Sequence, residues 1–350
     1  MRYELSDDQA MIQDAVRRFA EAEVAPHAYE WDGAAAAQSS IFAALAELGL
    51  MGMRVSESAG GAGLDPLAAL LAIETLAVAD GGLAWTVALH NLLALPMLEA
   101  AGHEQVASLA AGEGVAAWFD APLNAVVDGR SVRLTGTATL VPWARQARLL
   151  VGWVPKVGAV AISPAADGVN TTPTEGAMGL RSSAPSTVRF EDSTGLRLEG
   201  PDAQAALPAW FGLARAAVAI GVARGALTAA TRYAQERQQF GRPIAQFQAV
   251  QWMLAETATE IDAAALLAWS AAGVSPSLAD SARAALYALP AATRAGMRAV
   301  QIFGGNGYVR EYPVERCLRD AKALEVLRPV DDDQDRVVDA ALGHGRTTGR

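Results

Sequence analysis

Two arginines and a phenylalanine lie around a chain break where an anionic group could bind. Arg237, Phe240 and Arg242 surround Gly241 and Pro243, and these two residues interrupt a helical pattern. A planar guanidinium suits the geometry of a phosphate, so both arginines are candidates for a phosphate-binding site. The general behaviour of loops favours a simpler interpretation, in which the segment is the solvated end of a helix. The residues alone leave both interpretations open.

A glycine-rich turn further along the chain offers a second kind of anion site. Gln301 precedes a turn that contains Gly304, Gly305 and Gly307. Successive glycines let backbone N–H groups approach an anion closely. The alternative is the end of a helix followed by an ordinary turn. The charged pairs that come next, Glu315-Arg316 and Arg319-Asp320, are typical of residues that hold a helix and a loop in place. No metal site is assigned.

The composition indicates a folded protein and narrows its partners. The chain of 350 residues is 52% hydrophobic and 19% charged, which excludes a disordered protein. Its net charge of -10 argues against nucleic acid, which would favour a basic patch. A single cysteine, Cys317, allows no internal disulfide and suits a reducing compartment. We therefore expect a cytoplasmic protein.

Neither a signal peptide nor a membrane span is predicted. Residues 1–8 lack the apolar core of a signal peptide. Apolar stretches such as residues 64–77 are interrupted by Asp65, Pro66 and Glu74.

Hydrophobic periodicity divides the chain into three parts. Residues 4 to about 112 have helical spacing, which begins with a capping box at Ser6 and Gln9. Residues 126–134 predict two strands joined by a turn at Asp128-Gly129, and residues 149–154 and 159–162 predict further strands. Long helices return from about residue 208. We predict an α+β fold with an N-terminal helical domain (1–112), a middle β domain (113–200) and a C-terminal helical domain (201–350).

Several segments together resemble the acyl-CoA dehydrogenase family, and the resemblance covers nearly the whole chain. The segments that carry it are Leu48–Gly52, Glu57–Gly63, Arg237–Gly241, Gln301–Tyr308, Glu311–Arg316 and Arg319–Lys322. The resemblance implies the fold of that family, in which the C-terminal domain is a four-helix bundle. It also implies FAD as the cofactor.

In the family, an Arg, a Phe, Gln residues and a glycine turn contact FAD that is held mainly by a neighbouring subunit, largely at its ADP half. The residues that match are Arg237, Phe240, Gln248, Gln301, Gly304, Gly305 and Gly307. The resemblance therefore predicts that this chain contacts the FAD of another subunit.

The groups that act on the substrate are replaced in this chain. The catalytic base of the family is a Glu near the C-terminus or, in some members, on the first helix of the C-terminal domain. The matching positions hold Arg328 and Phe211. An arginine stays protonated and cannot act as a base. No catalytic residue is assigned. Glu325 lies one helical turn before Arg328, where a local ion pair with Arg328 is favoured over a relocated base.

Motifs that hold a chain's own flavin are also missing. In the β domain, Ala117–Leu123 stands in place of a Thr-Glu-Pro motif, no Gly-Ser-Asp follows, and Thr139–Trp143 replaces Trp-Ile-Thr. Near the C-terminus, Val330 and Asp332 stand where a Thr and a Gln contact the flavin. The retained motifs thus serve a neighbour's flavin, and the missing ones serve the chain's own.

This pattern is similar to the base-lacking subunit of the α2β2 acyl-CoA dehydrogenases of actinobacterial sterol catabolism. The resemblance implies a heterotetramer with a paralogous catalytic subunit that binds the acyl-CoA substrate, for example a steroid side-chain CoA ester. Electron-transfer flavoprotein is an electron acceptor that it allows. Two alternatives stay open. In the first, the chain is a self-sufficient homo-oligomeric flavoenzyme with a displaced base. In the second, it is a scaffold protein that has lost FAD.

Overall fold

The computed structural model describes residues 4–273, 276–327 and 330–342. The first helix begins at the predicted capping box, which is confirmed: the Ser6 hydroxyl accepts a hydrogen bond from the Gln9 N–H at 3.2 Å, and the Gln9 side chain accepts one from the Ser6 N–H at 3.1 Å. The N-terminal helices are α1 (Asp7–Phe19), α2 (Ala28–Ala34), α3 (Ser40–Glu47), α4 (Pro66–Ala79), α5 (Gly81–Leu89), α6 (Leu95–Ala100) and α7 (Val106–Ala110). Two π-helical segments, Ala20–Val24 and His90–Ala94, follow α1 and α5.

A mixed sheet occupies the middle of the chain. Its strands are β1 (Ala116–Asp120), β2 (Asn124–Asp128), β3 (Ser131–Val141), β4 (Leu149–Val154), β5 (Gly158–Ile162), β6 (Val169–Pro173) and β7 (Ser186–Arg197). Within the described ranges they form a seven-stranded sheet of order β1-β4-β5-β7-β3-β2, with β6 also paired to β7. The β1–β4 pair is parallel and the other pairs are antiparallel. The predicted turn at Asp128-Gly129 joins β2 to β3, and Gly129 has a φ of 59°, which glycine adopts without strain.

The long strand β7 organises this sheet. Along one edge it pairs with β3, and along the other it pairs with both β6 and β5. Phe190 of β7 is buried and packs against Phe119 of β1 with ring centroids 5.3 Å apart. The side chains on this face therefore form a single apolar core, which holds the ends of β1 and β3 in place.

Long helices return after the sheet. They are α8 (Pro201–Glu236), α9 (Gln248–Ala271), α10 (Leu278–Phe303), α11 (Val314–Val326) and α12 (Val330–Leu342). A short hairpin of β8 (Gln238–Gln239) and β9 (Arg242–Pro243) separates α8 from α9. Helices α8 and α4 approach closely at Gly221, where a Cβ would lie 2.1 Å from the carbonyl oxygen of Glu74. Only glycine fits that contact.

The predicted α+β class is confirmed, with helices, then a sheet, then helices. Contacts divide the chain into two compact units. The helical unit comprises Met1–Tyr29, Leu70–Gly81 and Pro208–Arg350, and the sheet unit comprises Glu30–Ala69 and Gly82–Leu207. The predicted domain boundaries at residues 112 and 200 stay a prediction.

Two helical stretches in the described part of the chain are long and apolar enough to cross a membrane by length and composition. They are Gly81–Ala100 and Gln204–Glu236. Their most apolar windows are 94% and 78% buried within the protein. The core helix of a folded protein has the same composition and the same burial.

A buried histidine links three segments of the sheet unit. The His90 Nε2 lies 3.0 Å from the Met51 carbonyl oxygen, and the Nδ1 accepts a hydrogen bond from the Ala116 N–H at 3.0 Å. These partners require a neutral ring with its proton on Nε2. Burial lowers the pKa of His90 to about 4. The neighbouring Asn91 side chain accepts from the Met53 N–H at 2.8 Å, so the π-helical segment anchors the loop after α3.

Candidate functional site

The end of α8 presents Arg237 and Phe240 to solvent. The hairpin of β8 and β9 turns back at this point, and the Ile244 N–H donates to the Arg237 carbonyl at 2.8 Å. Phe240 is 92% exposed and has a φ of 52°, so the turn projects its ring outward. The Arg242 guanidinium lies 4.4 Å from the centroid of the Phe247 ring. The predicted chain break is therefore an ordered hairpin with an exposed cation and an exposed aromatic ring.

The glycine turn follows the last residue of α10, Phe303, and its glycines have different environments. Gly304 has a φ of 61°. At Gly304 and Gly305 an added Cβ would meet no described atom within 4 Å. At Gly307 it would lie 2.7 Å from the Val300 carbonyl oxygen. The backbone at Gly304 and Gly305 is thus open to a ligand, whereas Gly307 is required for packing against α10.

An aromatic stack brings the hairpin and the glycine turn together. The rings of Tyr233 on α8 and Phe303 on α10 are stacked, with centroids 4.0 Å apart and an angle of 14° between their planes. Tyr312 packs edge-on against both rings. The Asn306 amide donates to the Tyr233 hydroxyl at 3.0 Å. Sequence reasoning missed this stack, although Phe303 and Tyr312 lie inside the segments that the motifs cover.

The remaining predicted contact residues lie next to the hairpin and the glycine turn. Gln301 is exposed on the last turn of α10, beside the glycine turn, and Gln248 is exposed at the first residue of α9, after the hairpin. The helical unit therefore offers a guanidinium, two amide side chains, an exposed backbone at Gly305 and an aromatic ring. The Gly304 N–H is already bonded to the carbonyls of the last turn of α10. This set suits a phosphate ester joined to a flat, partly apolar group.

Of the two positions that match the family's catalytic base, the structure describes only Phe211. Phe211 lies on α8, and the Arg215 guanidinium carbon is 6.0 Å from the centroid of its ring. A phenylalanine has no titratable group, so this position cannot remove a proton. Arg328 lies outside the described residues. Val330 is the first residue of α12, which also contains Asp332.

A buried ion pair joins α8 to α12 close to these positions. The Arg215 Nη1 donates to the Asp333 Oδ2 at 2.9 Å, and the two side chains are 0% and 2% exposed. The Arg336 Nη1 lies 3.3 Å from the other oxygen, Oδ1. Both carboxylate oxygens of Asp333 are thus bound by guanidinium groups. Sequence reasoning missed this pair, although Arg215 is the one charged residue between positions 207 and 222.

Glu325 is bound to residues of its own unit. Its Oε2 accepts from the Thr293 hydroxyl at 2.6 Å and lies 3.2 Å from the Lys322 Nζ. The predicted partner, Arg328, lies outside the described residues, so that ion pair stays a prediction. The hydrogen bond with Thr293 ties α11 to α10, and the contact with Lys322 lies within α11.

The charged residues of α11 have the structural contacts that their spacing indicates. The Arg319 guanidinium donates to both oxygens of Glu315, at 2.7 and 3.0 Å. The Arg316 Nη2 donates to the Ala79 carbonyl at 3.3 Å. The first pair stabilises α11 itself, and the Arg316 contact ties α11 to the end of α4.

The segments of the sheet unit that replace the flavin-ring motifs are largely filled with apolar side chains. Trp118 is buried in β1, and Trp143 after β3 is 3% exposed. The Trp143 ring packs edge-on against Phe42 at 4.8 Å. Pro142 is also buried and has no N–H to donate.

Comparison with protein families gives matches over two long segments. Residues 6–109 match the family model described as Acyl-CoA dehydrogenase, N-terminal domain. Residues 208–330 match the one described as Acyl-CoA dehydrogenase, C-terminal domain. The second match contains the hairpin, the glycine turn and Phe211.

The chain is also similar along its length to named enzymes. It is 32% identical to a probable acyl-CoA dehydrogenase of Bacillus subtilis, over 93% of this chain and 95% of that protein. It is 30% identical to the short-chain specific acyl-CoA dehydrogenase of Clostridium acetobutylicum, over 98% of this chain and 100% of that protein. The structure of butyryl-CoA dehydrogenase from Megasphaera elsdenii superposes with a TM-score of 0.89 at 27% identity, covering 98% of this chain and 100% of that one.

Proposed function

The chain belongs to the acyl-CoA dehydrogenase family, and from this premise we propose that it is a non-catalytic subunit of a heteromeric, FAD-dependent acyl-CoA dehydrogenase. One observation carries the proposal. Apart from Gly307, the residues matched to a neighbour's cofactor are exposed around the hairpin and the glycine turn, whereas Phe211, at one of the two base positions, has no acid–base chemistry. The chain would complete the cofactor site of a catalytic partner.

The surface of the helical unit suits the ADP half of FAD. Arg237 would form charge-assisted hydrogen bonds to the pyrophosphate, and the lack of side chains at Gly304 and Gly305 would let the cofactor approach the turn closely. Phe240 would cover an apolar face of the cofactor, and Gln248 and Gln301 would bond to its polar edges. Gly307 would act indirectly, because it lets the turn pack on α10.

FAD, when bound, supplies the hydride acceptor for the α,β-dehydrogenation of an acyl-CoA thioester. The reaction also needs a group that removes the α-proton. Phe211 cannot do this, and a cationic Arg328 cannot either. The carboxylate base and the acyl-CoA site would therefore belong to the paralogous partner, and we expect the isolated chain to show no dehydrogenation.

An α2β2 heterotetramer with two FAD molecules follows from this division of roles. Pairing with an intact paralogue would restore one complete site per heterodimer. In the other site of each heterodimer, the partner would supply the ADP-side residues and this chain would supply the altered segment around Pro142 and Trp143. The resemblance to sterol-catabolism enzymes favours a steroid side-chain CoA ester as the substrate, and electron-transfer flavoprotein as the acceptor.

The second candidate function is a self-sufficient homo-oligomeric acyl-CoA dehydrogenase. The end-to-end similarity to proteins named as acyl-CoA dehydrogenases favours it. Glu325 would then be the candidate base. Its contacts with Thr293 and Lys322 occupy one of its oxygens and leave the other to act.

Co-expression with the paralogue, followed by mass measurement and flavin absorbance, tests the proposal. We expect a tetramer with two flavins, and a homogeneous sample of this chain that is inactive. Four flavins per tetramer, or a stable homotetramer with full flavin, would overturn it. If the chain alone turns over an acyl-CoA, Glu325→Gln then shows whether Glu325 is the base.

Arg237→Ala tests the cofactor contacts in the assembled complex. Charge-assisted hydrogen bonds contribute about 1.5–3 kcal/mol, so flavin affinity should fall roughly tenfold or more. Arg232→Ala is the matched control, since Arg232 lies on the same helix end and pairs with Glu236 at 2.9 Å. Equal flavin content in the two variants would argue against the assignment, even if the tetramer forms.

A further inference from the structure

A cleft in the helical unit lies outside the proposed cofactor surface. It is bounded by α1, the π-helical segment Ala20–Val24, α4, α8 and α9, and has a volume of about 570 Å³. This volume falls within the usual range for small-molecule sites. Small side chains such as Ala20, Thr75 and Ala79 leave the space open. The π-helical segment contributes Ala20 and Glu21, and such segments often occur at functional sites.

A buried carboxylate lines this cleft. The Glu74 side chain is 4% exposed. One of its oxygens accepts from the Arg224 Nε at 2.7 Å, and the other accepts from the Trp269 Nε1 at 3.0 Å. Each carboxylate oxygen can accept a second hydrogen bond. Glu74 can therefore take one more donor from a molecule in the cleft while it keeps both of its present bonds.

The charged side chains that line the cleft are balanced among the residues that the structure describes. Glu21 and Glu74 line it together with Arg17 and Arg224. Arg17 also pairs with Asp14, and Arg224 pairs with both Glu74 and Asp262. An added cation would lie near a guanidinium, and an added anion would lie near a buried carboxylate. Both would also lose hydration on entering a largely apolar cleft. The balance favours a neutral occupant.

We propose that this cleft binds a neutral, mostly apolar small molecule that carries one O–H or N–H donor. The donor bonds to a Glu74 oxygen, and the apolar body packs against Trp269, Val78 and the small residues of α1 and α4. A CoA ester, with its phosphates, does not fit this chemistry. The site is thus distinct from the cofactor surface, and the inference does not rest on the proposed function.

A matched set of naphthalenes tests the proposal by calorimetry on the full chain. We expect 2-naphthol, which has a neutral donor, to bind with a Kd below about 1 mM. Three probes should bind at least about tenfold more weakly: 2-methoxynaphthalene, which has no donor, 2-naphthalenesulfonate, which is anionic, and 2-naphthylmethylammonium, which is cationic. Failure of 2-naphthol to bind, or equal binding of any other probe, would overturn the proposal.

Two variants place the probe in the cleft. Val78 is 38% exposed, so Val78→Trp can fill the opening without disturbing the core and should reduce 2-naphthol binding at least about tenfold. Val126→Trp is the control, since Val126 is 57% exposed in the sheet unit and should leave binding unchanged. Glu74→Gln should weaken 2-naphthol more than 2-methoxynaphthalene. Binding that survives Val78→Trp, or weakens equally in the control, would place the probe elsewhere.

Discussion

Two regions of the helical unit carry the residues matched to the family's cofactor and base positions, and they differ in what surrounds them. At the hairpin and glycine turn, Arg237, Phe240, Gly304 and Gly305 lie open to solvent on an ordered frame. Along α8 and α12, Phe211 is half-buried and the Arg215–Asp333 pair is packed in the interior. The first region has side chains that are free to contact another molecule. In the second region the charged side chains pair with each other, as structural residues do.

The largest effect should come from breaking the buried pair. Asp333→Ala leaves the Arg215 cation buried without this carboxylate, which costs about 3–5 kcal/mol of unfolding free energy. The double variant Arg215→Met/Asp333→Leu should recover most of that loss, because it removes both charges. Urea denaturation measures both. If Asp333→Ala unfolds at the wild-type urea concentration, this region is not structural and the comparison fails.

A pH titration extends the comparison to a buried polar group of the sheet unit. The folded pKa of His90 is about 4 and the unfolded value is 6.5, so the unfolded state takes up the proton first as the pH falls. The stability contributed by neutral His90 is full above pH 6.5 and is lost between about pH 6.5 and 4, by roughly 3 kcal/mol. The difference in unfolding free energy between wild type and His90→Gln, measured as a function of pH, isolates the contribution of His90. A difference that does not change with pH would contradict it.

A smaller effect is expected at the junction of the two exposed elements. Tyr233→Phe keeps the stack on Phe303 and removes the hydrogen bond from Asn306, which should cost about 0.5–1.5 kcal/mol. Tyr308→Phe is the control, because Tyr308 is 85% exposed. Flavin content of the complex should fall in Tyr233→Phe alone, since the turn loses its anchor to α8. Equal losses in the two variants would show that this hydrogen bond does not order the turn.

The smallest effect on stability should come from the exposed ring. Phe240→Ala changes a side chain that is 92% exposed, so the unfolding free energy should stay within about 0.5 kcal/mol of wild type. Flavin retention by the complex should nevertheless fall. A variant that is destabilised with normal flavin content would place Phe240 with the structural residues and reverse the comparison at this position.

Local patterns were sufficient to predict much of the fold. The Ser6–Gln9 cap, the Asp128-Gly129 turn and the break at residues 241–243 depend on residues close in sequence, and the structure has each of them. The residues of the proposed cofactor surface could be named for the same reason, since their motifs are short runs. The different roles of Gly305 and Gly307 needed coordinates, because they depend on whether α10 lies behind the residue.

Long-range pairs could not be predicted from patterns of this kind. Arg215 and Asp333 are 118 positions apart in the sequence. His90 likewise bonds to Met51 and Ala116, which lie in other segments of the chain. Spacing in the sequence carries no signal for such contacts, since they arise only when the elements pack. A charged or polar residue within a long apolar run is the available hint. Arg215 and His90 both stand in such runs.

The arrangement of strand β7 has a consequence for how fast the chain reaches its native state. Its partners come from three separate earlier segments, and Ser131 of β3 lies opposite Leu196. The pairings with β3 and β5 close long loops, and the entropy of that closure must be lost before the contacts offset it. The sheet should therefore assemble late and on the millisecond-to-second scale, after the local helices. During biosynthesis, β3 and β6 are made before β7, so the edges that pair with β7 are at first unpaired. The nascent chain is most exposed to aggregation during this interval.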